Sequence, residues 1–195
     1  MKPLQPILLA AVIAFTVAAS PPPDVNPHPF DLAHSKMTVY VYKQGLFSFA
    51  ADNHEIDAPI ASGSYDSATD MVELSVDATK MKVLDPSMSS GHRDDIQSNM
   101  AGPMVLDVEK YPTIAFRSTK VEVDSPGALT VTGDLTLHGQ THSIVVQARK
   151  ADATHFDGSV MLRQSSFGIT PIRLVVGTVQ VKDDIKIVFE IALSQ

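Results

Sequence analysis

The side chains best equipped for chemistry are the histidines, one carboxylate pair and one serine run. His34, His54, His92, His138 and His142 are candidate metal ligands or bases, because imidazole titrates near neutrality and binds metals through a ring nitrogen. His138 and His142 flank Gly139, so a hairpin there would bring them close. No HxH or HExxH spacing and no histidine–carboxylate cluster accompanies them. Hydrogen bonding of His34 or His138 to backbone in a turn is the better account, and no metal is expected. The run Ser165-Ser166-Phe167-Gly168 lacks the G-x-S-x-G spacing of a nucleophile elbow. Asp94 and Asp95 adjoin on a predicted helix, where neighbours in sequence do not face each other; first-turn charges fit them better than an acid–base pair. Cysteine is absent, which excludes thiolate metal sites, disulfides, cysteine nucleophiles and a lipid-modified N-terminal cysteine. The sequence therefore predicts a chain without catalysis.

The surrounding sequence predicts export. Lys2 precedes an apolar run over residues 7–17, and Val17-Ala18-Ala19 offers the small residues of a cleavage site. The run is shorter than the roughly 20 apolar residues a membrane span needs, and Pro21-Pro22-Pro23 cannot continue a helix. Residues 1–19 read as a signal peptide, 20–29 as an extended proline-rich leader and 30–195 as one domain. No retained membrane span is expected. The formal charge is −7, or −8 once Lys2 leaves with the signal peptide. Such an acidic chain repels phosphate backbones, so nucleic acid is excluded as a partner.

From Phe30 onward the hydrophobic period is two. Met37, Val39 and Val41 alternate with polar or aromatic neighbours; so do Val72, Leu74 and Val76, then Ile114, Phe116 and Ser118. Leu129, Val131, Gly133, Leu135 and Leu137 form a longer series, and Ile185, Ile187, Phe189, Ile191 and Leu193 another. Successive strand residues point to opposite faces, so each run has one buried and one wet face, as antiparallel sheets permit. His138-Gly139, Ser125-Pro126-Gly127 and Lys182-Asp183-Asp184 read as turns, the last as a tight hairpin. Residues 89–100 break the period: Ser89 or Ser90 caps a short helix that Gly102-Pro103 ends. The expectation is an all-β antiparallel barrel of about eight strands with one short helix, a sandwich being the alternative. A barrel of that size encloses one small ligand. Gly133 reads as a gap left for a ligand or a close backbone.

Several runs resemble one family. Phe30-Asp31-Leu32-Ala33-His34-Ser35 opens the domain, "YPTIAFRST" spans 111–119, "VTGDLTLHGQTH" spans 131–142, and Gln164-Ser165-Ser166-Phe167-Gly168-Ile169 follows. Their order and spacing resemble the YceI-like, polyisoprenoid-binding family over residues 30–193. The resemblance implies a lipocalin-like barrel whose apolar channel holds an isoprenoid or quinone-like lipid, a periplasmic location and no family-wide catalytic residue. Its channel walls would be Val39, Val41, Leu74, Val76, Ile114, Phe116, Leu135 and Leu137, with Phe47, Phe49, Met100, Phe167 and Ile169. Met88, Met104 and Met161 would adapt to a flexible chain; Arg163 and Arg173 read as solvated surface residues, with an anionic headgroup at a mouth as the alternative. The rival readings are a filled barrel serving as a stress-linked interaction protein and a histidine-based metal barrel. An exposed strand edge would support a homodimer.

Overall fold

Alternating residues make strands, and a computed structural model shows how they assemble; it describes residues 27–44, 53–174 and 179–194. The elements are β1 (Pro27–Pro29), β2 (Lys36–Gln44), β3 (His54–Asp57), β4 (Ile60–Asp66), β5 (Met71–Asp77), β6 (Lys82–Val83), α1 (Ser90–Ala101), β7 (Thr113–Ser125), β8 (Ala128–Leu137), β9 (Gln140–Lys150), β10 (His155–Arg163), β11 (Arg173–Leu174) and β12 (Val179–Ala192). All pair antiparallel in one sheet, ordered β1-β4-β5-β7-β8-β9-β10-β12-β2-β3-β6, with β11 on β12.

The sheet curls until its margins meet. Beyond the β2 pairing, the end of β12 bonds the β1 segment: Asp31 N donates to Ala192 O and Ser194 N to Pro29 O, both at 2.8 Å. β1 also pairs with β4, so β1–β2 and β3–β4 each act as one bent stave. Eight staves result, and the expected barrel is observed in place of a two-sheet sandwich. The last three residues expected in the proline leader are in fact a strand on β4, and Pro29 takes part in the closure through its carbonyl, which a proline keeps.

Turns and helix form where the local chemistry dictates. His138 and Gly139 have φ of +51° and +72°, the two left-handed residues of a tight hairpin. Pro126-Gly127 turns β7 into β8, with Gly127 at +82°. Ser89 caps α1 by accepting from His92 N, and Gly102 follows its last residue. No acidic residue lies in its first turn, so Asp94 and Asp95 sit one turn further in than expected. The hairpin expected at Lys182–Asp184 is absent. β12 runs straight through these residues, which bulge opposite the β2 edge. The bulge is held from outside the sheet: Gln164 Nε2 donates to Lys182 O at 2.9 Å, and Ser165 N and Oγ both donate to Asp183. These bonds hold the Asp183 carboxyl below the usual carboxylate range.

A second bulge explains how β7 keeps an apolar inner face. Phe116 pairs with Leu135 and Ser118 with Gly133, but Lys120 pairs with Thr132. The extra residue shifts the parity, so the inward series runs Ile114, Phe116, Ser118 and then Val121, Val123. Fully buried Ser118 sits where this happens and takes a bond from Val72 N at 2.7 Å.

Three phenylalanines lie against glycines on adjacent strands. A Cβ at Gly63, Gly133 or Gly158 would stand 2.2 Å from Phe30, 2.5 Å from Phe116 or 2.5 Å from Phe189. Of the two readings of Gly133 the close backbone holds: a Cβ there would also stand 2.6 Å from Arg117 O, and the Phe116 ring covers the position. The rings lie flat on the wall because nothing projects from the neighbouring strand, and the middle of the barrel stays open. Gly133→Ala is expected to destabilise by about 1–3 kcal/mol through overpacking. Urea unfolding should show a lower midpoint at unchanged slope; an unaltered midpoint would show that the ring moves aside freely.

The barrel lumen as candidate binding site

Inward parity on every stave produces one chamber of about 370 Å³, within the ~300–1,000 Å³ range of small-molecule sites. Its wall is built from Met37, Val39 and Val41 of β2, Ile114 and Phe116 of β7, Leu129 to Leu137 of β8, and Ile185 to Ile191 of β12, with matching residues of the other staves. Ile144, Val146 and Ala148 of β9 continue it, as do Val160 and Leu162 of β10. Among the described lining residues only Tyr65, Asp70, Lys150 and Gln164 bear a polar hydrogen-bonding side chain. Gln164 is already bonded to Lys182 O.

The two ends differ. At one, α1 and the segment after it place Met100, Val105 and Leu106 on the chamber. Gln97 anchors this cover, accepting from Val83 N and donating to Met81 O, each at 2.9 Å. Tyr111 packs on His138 at 4.8 Å between ring centroids and covers Gly139. The other end lies among the β4–β5, β7–β8 and β9–β10 turns and carries Tyr65, Asp70 and Lys150. Burial and the bond to Asp70 push the Tyr65 phenol up to about 12, so it remains a neutral donor in ordinary solution.

Ten of the thirteen sequence-predicted wall residues border the chamber: Val39, Val41, Leu74, Val76, Met100, Ile114, Phe116, Leu135, Leu137 and Ile169. Phe167 does not. It is 2 % exposed and sits behind the wall, its ring edge-on to His142 at 5.2 Å and its carbonyl accepting from His138 Nδ1 at 3.1 Å. Phe47 and Phe49 lie outside the described residues. Met37, Met81 and Met100 supply the adaptable thioethers; Met104 and Met161 face solvent, and Met88 is off the chamber. Arg163 and Arg173 are not at the mouth either, for Arg163 has outward parity and stands 3.5 Å from Asp184. The mouth cation is Lys150, which the alternation of Ile144, Val146, Ala148 and Lys150 along β9 would have revealed.

The histidines are dispersed. His34 bonds the Asp31 carboxylate at 2.7 Å, not backbone as expected. His54 bonds Asp85 at 2.7 Å, and His142 lies beside Gln140. Among the described residues no three histidine or acidic side chains converge as a metal site.

A closed antiparallel sheet around an apolar chamber, with a polar mouth, defines a structural class, the antiparallel β-barrels with one short helix. Within that class the family is specific. Residues 29–193 match the YceI-like domain, and the chain belongs to that family. A UPF0312 protein of Vibrio cholerae serotype O1 is 29% identical over 179 residues, covering 86% of this chain and 88% of the relative. Two solved structures share the fold at a TM-score of 0.59. Burkholderia cenocepacia BcnA is 20% identical over 85% of this chain and 99% of its own. A polyisoprenoid binding domain from Saccharophagus degradans, implicated in plant cell wall breakdown, is 12% identical over 88% and 99%. No helix among the described residues is long and apolar enough to cross a membrane.

Asp85 tests whether the best-buried histidine pair is structural. Its side chain is 5% exposed and also accepts from Glu55 N at 2.9 Å. Asp85→Ala strands that donor and is expected to cost about 1–3 kcal/mol in thermal or urea unfolding, with uptake of an apolar dye unchanged. Lost uptake in a stable variant would make the pair part of the binding site.

Proposed function

We propose that this chain binds one isoprenoid-type or quinone-like lipid in the barrel interior, acting as carrier or store without catalysis, in the periplasm after removal of residues 1–19. The observation that carries the reading is the chamber itself. An apolar chamber of about 370 Å³ left empty deprives its lining side chains of packing partners on one side, and the lost dispersion contacts add up over the whole wall. Water does not relieve it, since a buried water needs two to four polar partners and the middle of the wall offers none. A flexible hydrocarbon chain does, gaining about 25 cal/mol for each Å² of apolar surface buried. Family membership and the Saccharophagus neighbour's description support an isoprenoid; the signal-like first 19 residues support export.

Filling the chamber tests the reading. Leu135 is 7% exposed and faces the lumen beside Phe116. Leu135→Trp keeps the wall apolar but occupies ligand space. Uptake of a polyprenyl alcohol should fall about tenfold, a difference of roughly 1.4 kcal/mol, while circular dichroism stays that of the parent. The outward Asp134→Asn should bind like the parent. Equal uptake by the folded tryptophan variant would contradict binding in the lumen.

A further inference from the structure

Three of the four polar lining residues cluster at the mouth opposite α1, and they form one connected set. Tyr65 Oη donates to Asp70 Oδ1 at 2.5 Å. The Tyr65 ring lies 5.7 Å from the Phe156 ring, and Lys150 Nζ stands 5.7 Å over that same ring. Lys150 reaches this place by parity, two residues beyond Ala148 on the inward face of β9. Its neighbour Arg149 points outward and pairs with Asp157 at 2.8 Å. Among the described residues Lys150 has no ion pair, and Asp70 Oδ2 has no hydrogen bond. A donor and an acceptor are thus presented at the entrance of an otherwise apolar chamber.

The charge around them selects the chemistry. Besides Asp70, this end carries Asp66, which takes bonds from Ala68 N and Thr69 Oγ1, and Asp152, whose carboxyl is held down to about 2 by Thr154 and His155. Among the described residues Lys150 is the one cation on the lumen wall. A phosphate headgroup brings about −1.5 to −2 charges at pH 7 and would set them beside Asp70, with Lys150 in compensation among the described lining residues. A hydroxyl or phenol brings none, accepts from Lys150 and donates to Asp70. Resting on the lipid reading above, we infer that the mouth formed by Tyr65, Asp70, Lys150 and Phe156 is a headgroup site for an uncharged, hydroxyl-bearing isoprenoid that discriminates against its phosphorylated form, and that the ligand enters with its tail toward α1.

The test compares three probes on the full-length mature protein by equilibrium dialysis: geranylgeraniol, geranylgeranyl monophosphate and the matching hydrocarbon without a headgroup. The alcohol is expected to bind about tenfold more tightly than the monophosphate, because the phosphate sets negative charge against Asp70 where the hydroxyl donates to it. Lys150→Met should weaken the alcohol several-fold and leave the hydrocarbon unchanged, which also shows that the variant folds. Asp70→Asn should narrow the gap between alcohol and monophosphate. Monophosphate binding equal to or tighter than the alcohol overturns the headgroup site while leaving the lipid reading standing. So does an equal loss of alcohol and hydrocarbon in Lys150→Met. Failure of all three probes to bind overturns the lipid reading and the headgroup site together.

Discussion

Closing an antiparallel sheet on itself leaves no free choice for half its residues. Every second side chain on eight staves must share one enclosed space, which must be apolar because unpaired polar groups there cost several kcal/mol each. In this protein the inward series obeys that rule along whole strands, from Leu129 to Leu137 and from Ile185 to Ile191. The constraint on volume is as strict. The inward residues are mostly Val, Ile, Leu and Ala, and three of the larger rings, Phe30, Phe116 and Phe189, are laid flat over Gly63, Gly133 and Gly158. The chamber exists because the sequence withholds side chains at the positions where those rings need to lie.

Irregular features protect the same constraint. The β7 bulge moves the apolar series from even to odd residues, so that Val121 and Val123 still border the chamber. The β12 bulge lets the strand stay on β2 while Lys182 O and Asp183 tie down the Gln164–Phe167 turn. That turn carries Phe167 behind the wall, where it locks the β8–β9 hairpin through His138 and His142. Histidines that suggested chemistry thus serve the scaffold, as their single-partner hydrogen bonds show. Polarity is confined to the ends, one covered by α1 and the other ringed by Tyr65, Asp70 and Lys150.

Much of this was legible in the sequence, for a stated reason. Period-two alternation is a local property, so the strands and eight of the ten wall residues followed from it directly, Met100 and Ile169 lying outside the alternating runs. The β8–β9 and β7–β8 turns were equally local, resting on Gly139 and Gly127. What escaped depends on partners distant in sequence. Lys182–Asp184 has the composition of a hairpin, and only the bonds from Gln164 and Ser165 make it a bulge. Gly133 reads as room for a ligand or a close backbone, and only the fold sets the Arg117 carbonyl and the Phe116 ring against it. Phe167 shares the apolar character of a wall residue but is turned away by its contacts with His138 and His142. Arg163 and Arg173 drew attention by proximity to Phe167, whereas Lys150 was set on the lumen by parity alone.

The central claim is that the chamber is filled in the living cell by a long apolar molecule. Mass spectrometry of an organic extract of the protein, purified natively from its own host, tests it most directly. The account predicts one dominant isoprenoid at near-stoichiometric amount. An extract with no lipid, from a protein that also refuses added polyprenyl and quinone compounds, would contradict it and leave a barrel whose interior serves some other purpose.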